Sequence, residues 1–259
     1  MKNKSLKQSL WLTLLSLLAI IPLSSSRVNA TTLADLLAGG SLTVSHAGYD
    51  DLIFYNFHDY DSTSIGAALI PADNIIVTTR DTVIDGVREM GLRFSVGGML
   101  SIAGQQQDIV FEFDVRSASG EDVIIDDYLE ANGGTRGAGL LAVSETIGNE
   151  EGFLDNLLVA QSKDGGYWND TAIFPGQDYL RIRKDVHVYG GSGTNCSPAI
   201  NCMAFISDFS QLFSQTSGGT TGQGTGGTTG QDVPEPASMI LLGLGLAGVG
   251  IARRKRQSK

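Results

Sequence analysis

The chain has 259 residues, of which 18 are Lys or Arg and 28 are Asp or Glu, so its formal net charge is −10 at pH 7. This length suits one domain with a sizeable core, together with terminal segments. The acidic balance argues against a nucleic-acid-binding protein, because the phosphate backbone repels negative charge.

The first 30 residues have the pattern of a secretory signal peptide. An uncharged apolar run extends from Leu10 to Leu23, and Val28-Asn29-Ala30 places small residues before a cleavage point at Thr31. Three lysines precede the run: Lys2, Lys4 and Lys7. A retained N-terminal anchor is the alternative, but the short run is interrupted by Pro22. The pattern therefore predicts export, with signal peptidase as a partner.

Residues 31–215 are predicted to form one all-β domain. A short helix is expected from Leu33 to Ala38, with Thr31 or Thr32 as its N-cap and Gly39 at its end. Alternating apolar and polar residues predict antiparallel strands at 41–46, 51–57, 66–70, 74–79, 92–96, 108–116, 123–132, 139–147, 154–161, 180–188 and 204–213. Glycine-rich turns separate these runs, so we expect an antiparallel two-sheet β-sandwich of jelly-roll-like form.

Lys184 breaks the apolar alternation of the strand at 180–188. Its side chain falls in the same phase as the apolar residues Leu180, Ile182, Val186 and Val188. We expect its stem to cross the rim of the sheet so that the ammonium reaches water, or a β-bulge to shift the register. A functional buried lysine is the third alternative.

Cys196 and Cys202 are the only cysteines of the chain. In an exported protein, two cysteines that bracket a proline-containing loop predict a disulfide. A zinc site is the alternative, but zinc needs two further ligands, and His187 is the only histidine near in sequence.

Residues 216–232 are predicted to form a flexible Gly/Thr-rich linker. Residues 216–231 are only Gly, Thr, Gln and Ser, and the unit Gly218-Gly219-Thr220-Thr221-Gly222-Gln223 recurs at 226–231. Such a composition cannot form a core, and its root-mean-square reach is roughly 20 to 25 Å.

Residues 233–259 contain three parts in a fixed order. The short motif Val233-Pro234-Glu235-Pro236 is followed by the uncharged segment 237–252 and then by four basic residues, Arg253, Arg254, Lys255 and Arg256. As a helix, the uncharged segment would reach about 24 Å, a marginal transmembrane span. The basic residues would stay on the cytoplasmic side of the membrane.

This order of motif, apolar segment and basic tail resembles the PEP-CTERM protein-sorting signal. The resemblance implies that an exosortase routes the protein to the cell envelope or the extracellular space, with transient anchoring by the C-terminal transmembrane helix. A plain anchor that is never cleaved is the alternative. If both ends are removed, the mature protein spans roughly Thr31 to Asp232, with nine basic and 27 acidic residues. Its net charge is then −18, which favours solubility and repels anionic lipid.

The body is also similar to the all-β extracellular domain common among PEP-CTERM proteins of polysaccharide-producing bacteria. The similarity rests on a succession of segments, chiefly 33–44, 53–57, 91–94, 108–115, 143–146 and 206–211. The typical pattern has Gly-Asp before the segment that corresponds to 53–57. This chain instead has Ser45-His46-Ala47-Gly48-Tyr49-Asp50-Asp51 there. The similarity implies no catalytic residues.

The sequence contains no recognised catalytic motif. None of the three histidines, His46, His58 and His187, lies in a zinc-protease or serine-hydrolase motif. Glu112 and Asp114 lie two apart on one strand face, a spacing compatible with a glycoside hydrolase. Acidic strand faces often carry such pairs, however. We therefore predict no catalytic residue and no cofactor.

Several acidic clusters contain oxygen ligands that calcium prefers. They are Asp50-Asp51, Asp59 with Asp61, and Glu121-Asp122 with Asp126-Asp127. None has the spacing of a calcium-binding loop, so a solvated acidic surface is the favoured interpretation and no metal site is predicted.

Tyr167 and Trp168 follow Gly165-Gly166, and their position predicts a loop that carries two exposed aromatic rings. Such rings are candidate contacts for sugars. Together these features predict an exported, non-enzymatic surface or matrix protein with a structural or adhesive role linked to exopolysaccharide. A carbohydrate-binding module that uses Tyr167 and Trp168 is the first alternative, and a carboxylate-dependent glycoside hydrolase is the second.

Overall fold

The structure is a computed structural model that describes residues 30–162, 165–197 and 199–217. The predicted signal peptide up to residue 29, the linker beyond residue 217 and the whole sorting signal, with its motif, helix and basic tail, lie outside the described residues. Within the described ranges, no helix combines the length and the apolar character that a membrane span requires.

Fifteen strands and one α-helix follow one another in the described chain. They are β1 (Ala30–Thr32), α1 (Leu33–Leu37), β2 (Leu42–Val44), β3 (Leu52–Ile65), β4 (Ile75–Ile84), β5 (Val87–Val96), β6 (Leu100–Ile102), β7 (Gln106–Ser117), β8 (Asp122–Arg136), β9 (Leu140–Asn149), β10 (Gly152–Ser162), β11 (Gly165–Tyr167), β12 (Asn169–Gln177), β13 (Tyr179–Tyr189), β14 (Met203–Phe213) and β15 (Gln215–Ser217). Three single-turn 3₁₀ helices lie at Ala72–Asn74, Thr194–Cys196 and Ala199–Asn201.

The strands form two antiparallel sheets. The first sheet has the order β1-β4-β5-β14-β8-β12, with β6 also paired to β14 and β15 to β8. The second sheet has the order β11-β10-β9-β13-β7-β3-β2. The predicted all-β, two-sheet antiparallel fold is therefore confirmed. Hairpins such as β4–β5 and β9–β10–β11 keep consecutive strands in one sheet, and so the order differs from an eight-stranded jelly roll.

The two sheets share one hydrophobic core between them. On β7, Ile109, Phe111, Phe113 and Val115 are all fully buried, as the alternation predicts. Aromatic rings join the sheets: the centroid of Phe94 on β5 lies 5.3 Å from that of Phe111, and the Phe54 and Phe213 centroids are 6.0 Å apart. The outward-facing residues of β7 therefore lie on the opposite face of the second sheet.

Helix α1 begins with a capping box, which explains its position. The Thr32 hydroxyl accepts a hydrogen bond from the Asp35 amide at 3.1 Å, and the Asp35 carboxylate accepts one from the Thr32 amide at 3.2 Å. Leu33 and Leu36 are buried in the core, and Gly39 follows with a φ of 99°. The predicted helix and its Thr32 cap are confirmed.

One predicted strand is absent, and one nine-residue strand was not predicted. Residues 66–70 do not form a strand, because the segment returns to β3 through side chains: Ser62 Oγ accepts from the Ile70 amide at 3.1 Å, and the Tyr60 hydroxyl donates to the Ile70 carbonyl. Strand β12 was not predicted. It contains Pro175 and Gly176, and its pairing with β8 is irregular between Ile173 and Gln177.

Both favoured predictions for Lys184 are wrong. Strand β13 pairs with β7 and β9 without a register shift, so no bulge turns the side chain outward. The Lys184 side chain is 0% exposed, and its ammonium contacts the equally buried Glu145 carboxylate. A buried lysine needs such a charged partner, because an unpaired charge in the core is far more costly.

Cys196 and Cys202 form a disulfide, with Cα atoms 5.0 Å apart. The bond closes a short loop between β13 and β14, and both cysteines are buried. The Cys202 sulfur also accepts a hydrogen bond from the Ala138 amide at 3.4 Å, so the bridge packs against the turn before β9.

Candidate functional site

The outer face of the second sheet, which points away from the core, carries rows of polar side chains. Residues paired across neighbouring strands project to the same face, so the register defines each row. One row contains Tyr55, Asp114 and Arg181, a second contains His58, Glu112 and Arg183, and a third contains Asp108 and His187. The third row continues through Ala142 and Ala160 to Tyr167 at the sheet edge.

Asp114 is the best-connected residue of this face. Only 3% of it is exposed, yet its carboxylate accepts three hydrogen bonds: from Asn56 Nδ2 at 2.7 Å, from the Tyr179 hydroxyl at 2.9 Å and from Arg181 Nε at 3.1 Å. Asn56 reaches it from a β-bulge in β3, where Asn56 itself has a φ of 54°. Asp114 therefore holds three strands in a fixed relation.

Tyr179 is held as a neutral hydrogen-bond donor. Burial, together with its hydrogen bond to Asp114, raises the pKa of Tyr179 to about 12. Its hydroxyl therefore keeps its proton at neutral pH, and Arg181 Nη2 donates to the same oxygen at 3.0 Å. The orientation of the ring is thus set from both sides.

A concave cavity of about 500 Å³ opens beside this junction. Tyr55 and Tyr179 line it, together with Arg116, Glu150 and Asp178 and the loop 117–120. The guanidinium carbon of Arg116 lies 5.4 Å from the centroid of the Tyr55 ring. A neighbouring cavity of about 380 Å³ shares Glu150, Asp178 and Tyr179, so the two form one polar trough.

Asp50 fixes the loop that forms the rim of the trough. Its carboxylate accepts a hydrogen bond from the Ser117 hydroxyl. It also accepts one from the Ser119 amide at 2.9 Å and one from the Ser119 hydroxyl at 2.5 Å. Burial opposes ionisation, but these hydrogen bonds outweigh it and lower the pKa of Asp50 to about 2. Asp50 of the predicted acidic cluster is thus occupied as a structural acceptor.

Three potential metal ligands meet further along the same face. Ligand atoms of His58, Asp59 and Glu112 lie within 4.8 Å of one another, and His58 Nε2 is 3.6 Å from Glu112 Oε2. His58 Nδ1 donates to the Asn56 carbonyl at 2.6 Å, which leaves Nε2 as the free ring nitrogen. These residues form a set able to hold a divalent cation. Sequence reasoning missed it, because two bulges in β3 create the juxtaposition.

Glu112 and Asp114, the predicted hydrolase pair, lie on one face of β7 but each interacts with a separate arginine. Glu112 Oε1 lies 3.2 Å from Arg183 Nη1, and Asp114 Oδ1 lies 3.1 Å from Arg181 Nε. The two carboxylates therefore serve as anchors for strand β13.

Tyr167 lies at the β11 edge of the second sheet, and Trp168 directly follows it. Tyr167 ends the short edge strand β11 and is 73% exposed, whereas Trp168 lies between β11 and β12 and is 40% exposed. Four strand spacings, about 19 Å, separate β11 from β7. The structure therefore does not bring the predicted aromatic pair together with the trough.

The trough residues were not singled out from the sequence. Tyr55 lies within the predicted strand at 51–57, and Tyr179 directly precedes the predicted strand at 180–188. The two tyrosines are 124 positions apart in the sequence, and only the register of β3, β7 and β13 brings them together.

The C-terminal segment matches a known family model. Residues 232–256 match the PEP-CTERM protein-sorting motif. The chain thus carries the sorting signal of an exported protein that is directed to the cell surface and processed by an exosortase. The match lies outside the described residues and covers neither sheet.

The two sheets have only a distant similarity to a solved structure. The enzymatically active domain of tailspike protein 4 from bacteriophage CBA120 is similar over 59% of this chain and 19% of that chain, at 14% sequence identity and a TM-score of 0.26. A likeness of this size assigns no activity. No curated protein matches the chain.

Proposed function

Because the chain carries the PEP-CTERM sorting signal, we propose that it is a surface or matrix protein with a structural or adhesive role, which holds exopolysaccharide without cleaving it. The observation that carries this proposal is the polar trough beside Asp114. Its two tyrosines lie among charged groups at a concave part of the outer face, and ligand sites of proteins are typically concave.

The chemistry of the trough suits a sugar chain. The tyrosine rings offer apolar faces to the C–H faces of sugar rings. Glu150 and Asp178 are exposed carboxylates that accept from sugar hydroxyls, and Arg116 donates to their oxygens. The abundance of carboxylates favours a neutral or basic polysaccharide over an acidic one.

The carbohydrate-binding alternative with Tyr167 and Trp168 becomes part of the same proposal. Tyr167 lies on the same outer face as the trough, but on the row of His187 and not on that of Asp114, so a polysaccharide must span both rows to contact the edge and the trough. The glycoside hydrolase gains no support, because a hydrolase needs one carboxyl to donate a proton, and Glu112 and Asp114 are each paired to an arginine.

The test is retention of the mature protein on exopolysaccharide from the producing bacterium, measured by affinity electrophoresis. Tyr55→Ala is expected to weaken retention about fivefold, since an aromatic contact contributes about 1 kcal/mol. Tyr128→Ala is the matched control, because Tyr128 is half-buried on the outer face of the first sheet. Equal retention of the wild type and Tyr55→Ala, or no retention of the wild type on any matrix glycan, would contradict the proposal.

A further inference from the structure

A buried polar cluster lies between the two sheets, away from the trough. Lys184 on β13 and Glu145 on β9 are directly opposite in the register, their side chains are 0% exposed, and Nζ contacts Oε2. From the first sheet, Gln211 Nε2 donates to Glu145 Oε1 at 2.8 Å and also to Asp127. Lys184, Glu145, Asp127 and Gln211 thus meet at one point of the core.

The surroundings of this cluster are apolar. The Phe209 ring centroid lies 5.9 Å from Lys184 Nζ, and the neighbouring inward residues of β13, Ile182 and Val186, are fully buried. A salt bridge in such a place gains little over apolar residues of similar size. Among the described residues, Asp127 Oδ2 and Gln211 Oε1 have no hydrogen-bond partner. Stability alone therefore does not explain this cluster.

The surroundings of Asp127 favour its protonated form. Burial, and next the neighbouring Glu145 carboxylate, raise the pKa of Asp127 well above its ordinary value. A protonated carboxyl beside Glu145 can donate a proton to the oxygen atoms of that residue. The cluster therefore combines an amine, a carboxyl carbon within its reach and a proton donor.

We propose that Lys184 and Glu145 condense into an intramolecular amide, a covalent cross-link between β13 and β9. Transfer of one proton from Nζ to the Glu145 carboxylate gives a neutral amine and a neutral acid. The nitrogen lone pair attacks Cδ, a second proton moves from nitrogen to the departing oxygen, and one water molecule leaves. Asp127 donates to a Glu145 oxygen during the attack and regains its proton when the carbonyl re-forms, so no oxidant or co-reactant is needed.

Two physical arguments favour this bond. The sheet holds the amine and the carboxyl in contact, which replaces a collision between free groups by a reaction within one molecule. The product also removes both charges of the pair from the core, where charged groups are costly. An amide between adjacent strands would suit a protein that works outside the cell.

Intact mass spectrometry of the wild-type mature protein tests the proposal without any variant. The protein is expected to be lighter than its disulfide-bonded sequence by the mass of one water molecule. After proteolysis, the peptide that contains Glu145 should remain joined to the peptide that contains Lys184. An unreduced mass equal to that of the sequence with its disulfide, or recovery of the two peptides only as separate species, would overturn the proposal.

Variants identify the atoms involved. Lys184→Arg has no primary amine, so its mass should show no loss of water. Glu145→Gln should lose one ammonia molecule and give the same cross-link, because the leaving group changes while the product does not. In Asp127→Asn the cross-linked fraction should form more slowly after refolding. A water loss that persists in Lys184→Arg would contradict the assignment to these residues.

Discussion

Glu89 shows what burial does to a single carboxyl group. It is 5% exposed on β5, and among the described residues its Oε2 has no hydrogen-bond partner. Burial, and then the negative charge of Asp126, raise the pKa of Glu89 from 4.5 to about 8. In the folded protein this side chain is therefore a neutral acid at neutral pH.

The pKa of Glu89 predicts how stability changes with pH. Between pH 4.5 and 8 the folded chain binds the proton more tightly than the unfolded chain, so the contribution of Glu89 is present at low pH and is lost as pH rises through this window. Glu89→Gln is neutral throughout, and its melting temperature should fall less between pH 5 and 9 than that of the wild type. Thermal unfolding by circular dichroism measures the difference.

Glu121→Gln is the control for this measurement, since Glu121 is exposed and its replacement should leave the pH dependence unchanged. If Glu89→Gln lost as much stability between pH 5 and 9 as the wild type, Glu89 would not be the group responsible.

Single residues also mark the limit of what the sequence predicts. The apolar phase of Lys184 pointed to an anomaly, but its partner Glu145 is 39 positions away and belongs to another strand. The ligand set at His58 depends on bulges that leave no local signal. Both require the register of the second sheet, which a pattern along one strand does not contain.

Local sequence patterns predict those secondary-structure elements that are determined by interactions between residues close in sequence. Helix α1 follows from the Thr32 capping box, and the buried phase of β7 follows from strict alternation. The prediction was wrong at 66–70, where side chains of Tyr60 and Ser62 hold the segment against β3. Strand β12 was missed because its pairing with β8 outweighs the poor strand propensity of Pro175 and Gly176.

Gly91 allows strands β5 and β14 to approach closely. A Cβ atom at this position would overlap the carbonyl oxygen of Gln211, and the backbone around it is buried in the sheet. Gly91→Ala is therefore expected to lower the free energy of unfolding by about 3 kcal/mol, because overpacked sites relax poorly. Urea denaturation measures this change.

Gly98→Ala provides the comparison for Gly91. Gly98 has a φ of 86°, and a Cβ atom there would meet no atom within 4 Å, so only backbone strain of about 1 kcal/mol is expected. If both variants lowered the free energy of unfolding by the same amount, the close approach of β5 and β14 would not explain why position 91 needs glycine.

Across the whole molecule, the distribution of charge suits the cell-surface destination that the sorting motif indicates. Between Thr31 and Asp232 there are nine basic and 27 acidic residues, and much of the positive charge lies in the two terminal segments. The PEP-CTERM motif at 232–256 directs the protein to the cell surface. We expect its acidic charge to favour solubility there and to repel anionic lipid.

The most direct test of this account is the intact mass of the protein isolated from the producing bacterium, with sequencing of both ends. We predict a chain that begins at Thr31 and ends close to the Val233-Pro234-Glu235-Pro236 motif, after removal of the signal peptide and of the C-terminal segment. A protein that still ends at Lys259 would contradict exosortase processing and would show that the C-terminal segment is a permanent anchor.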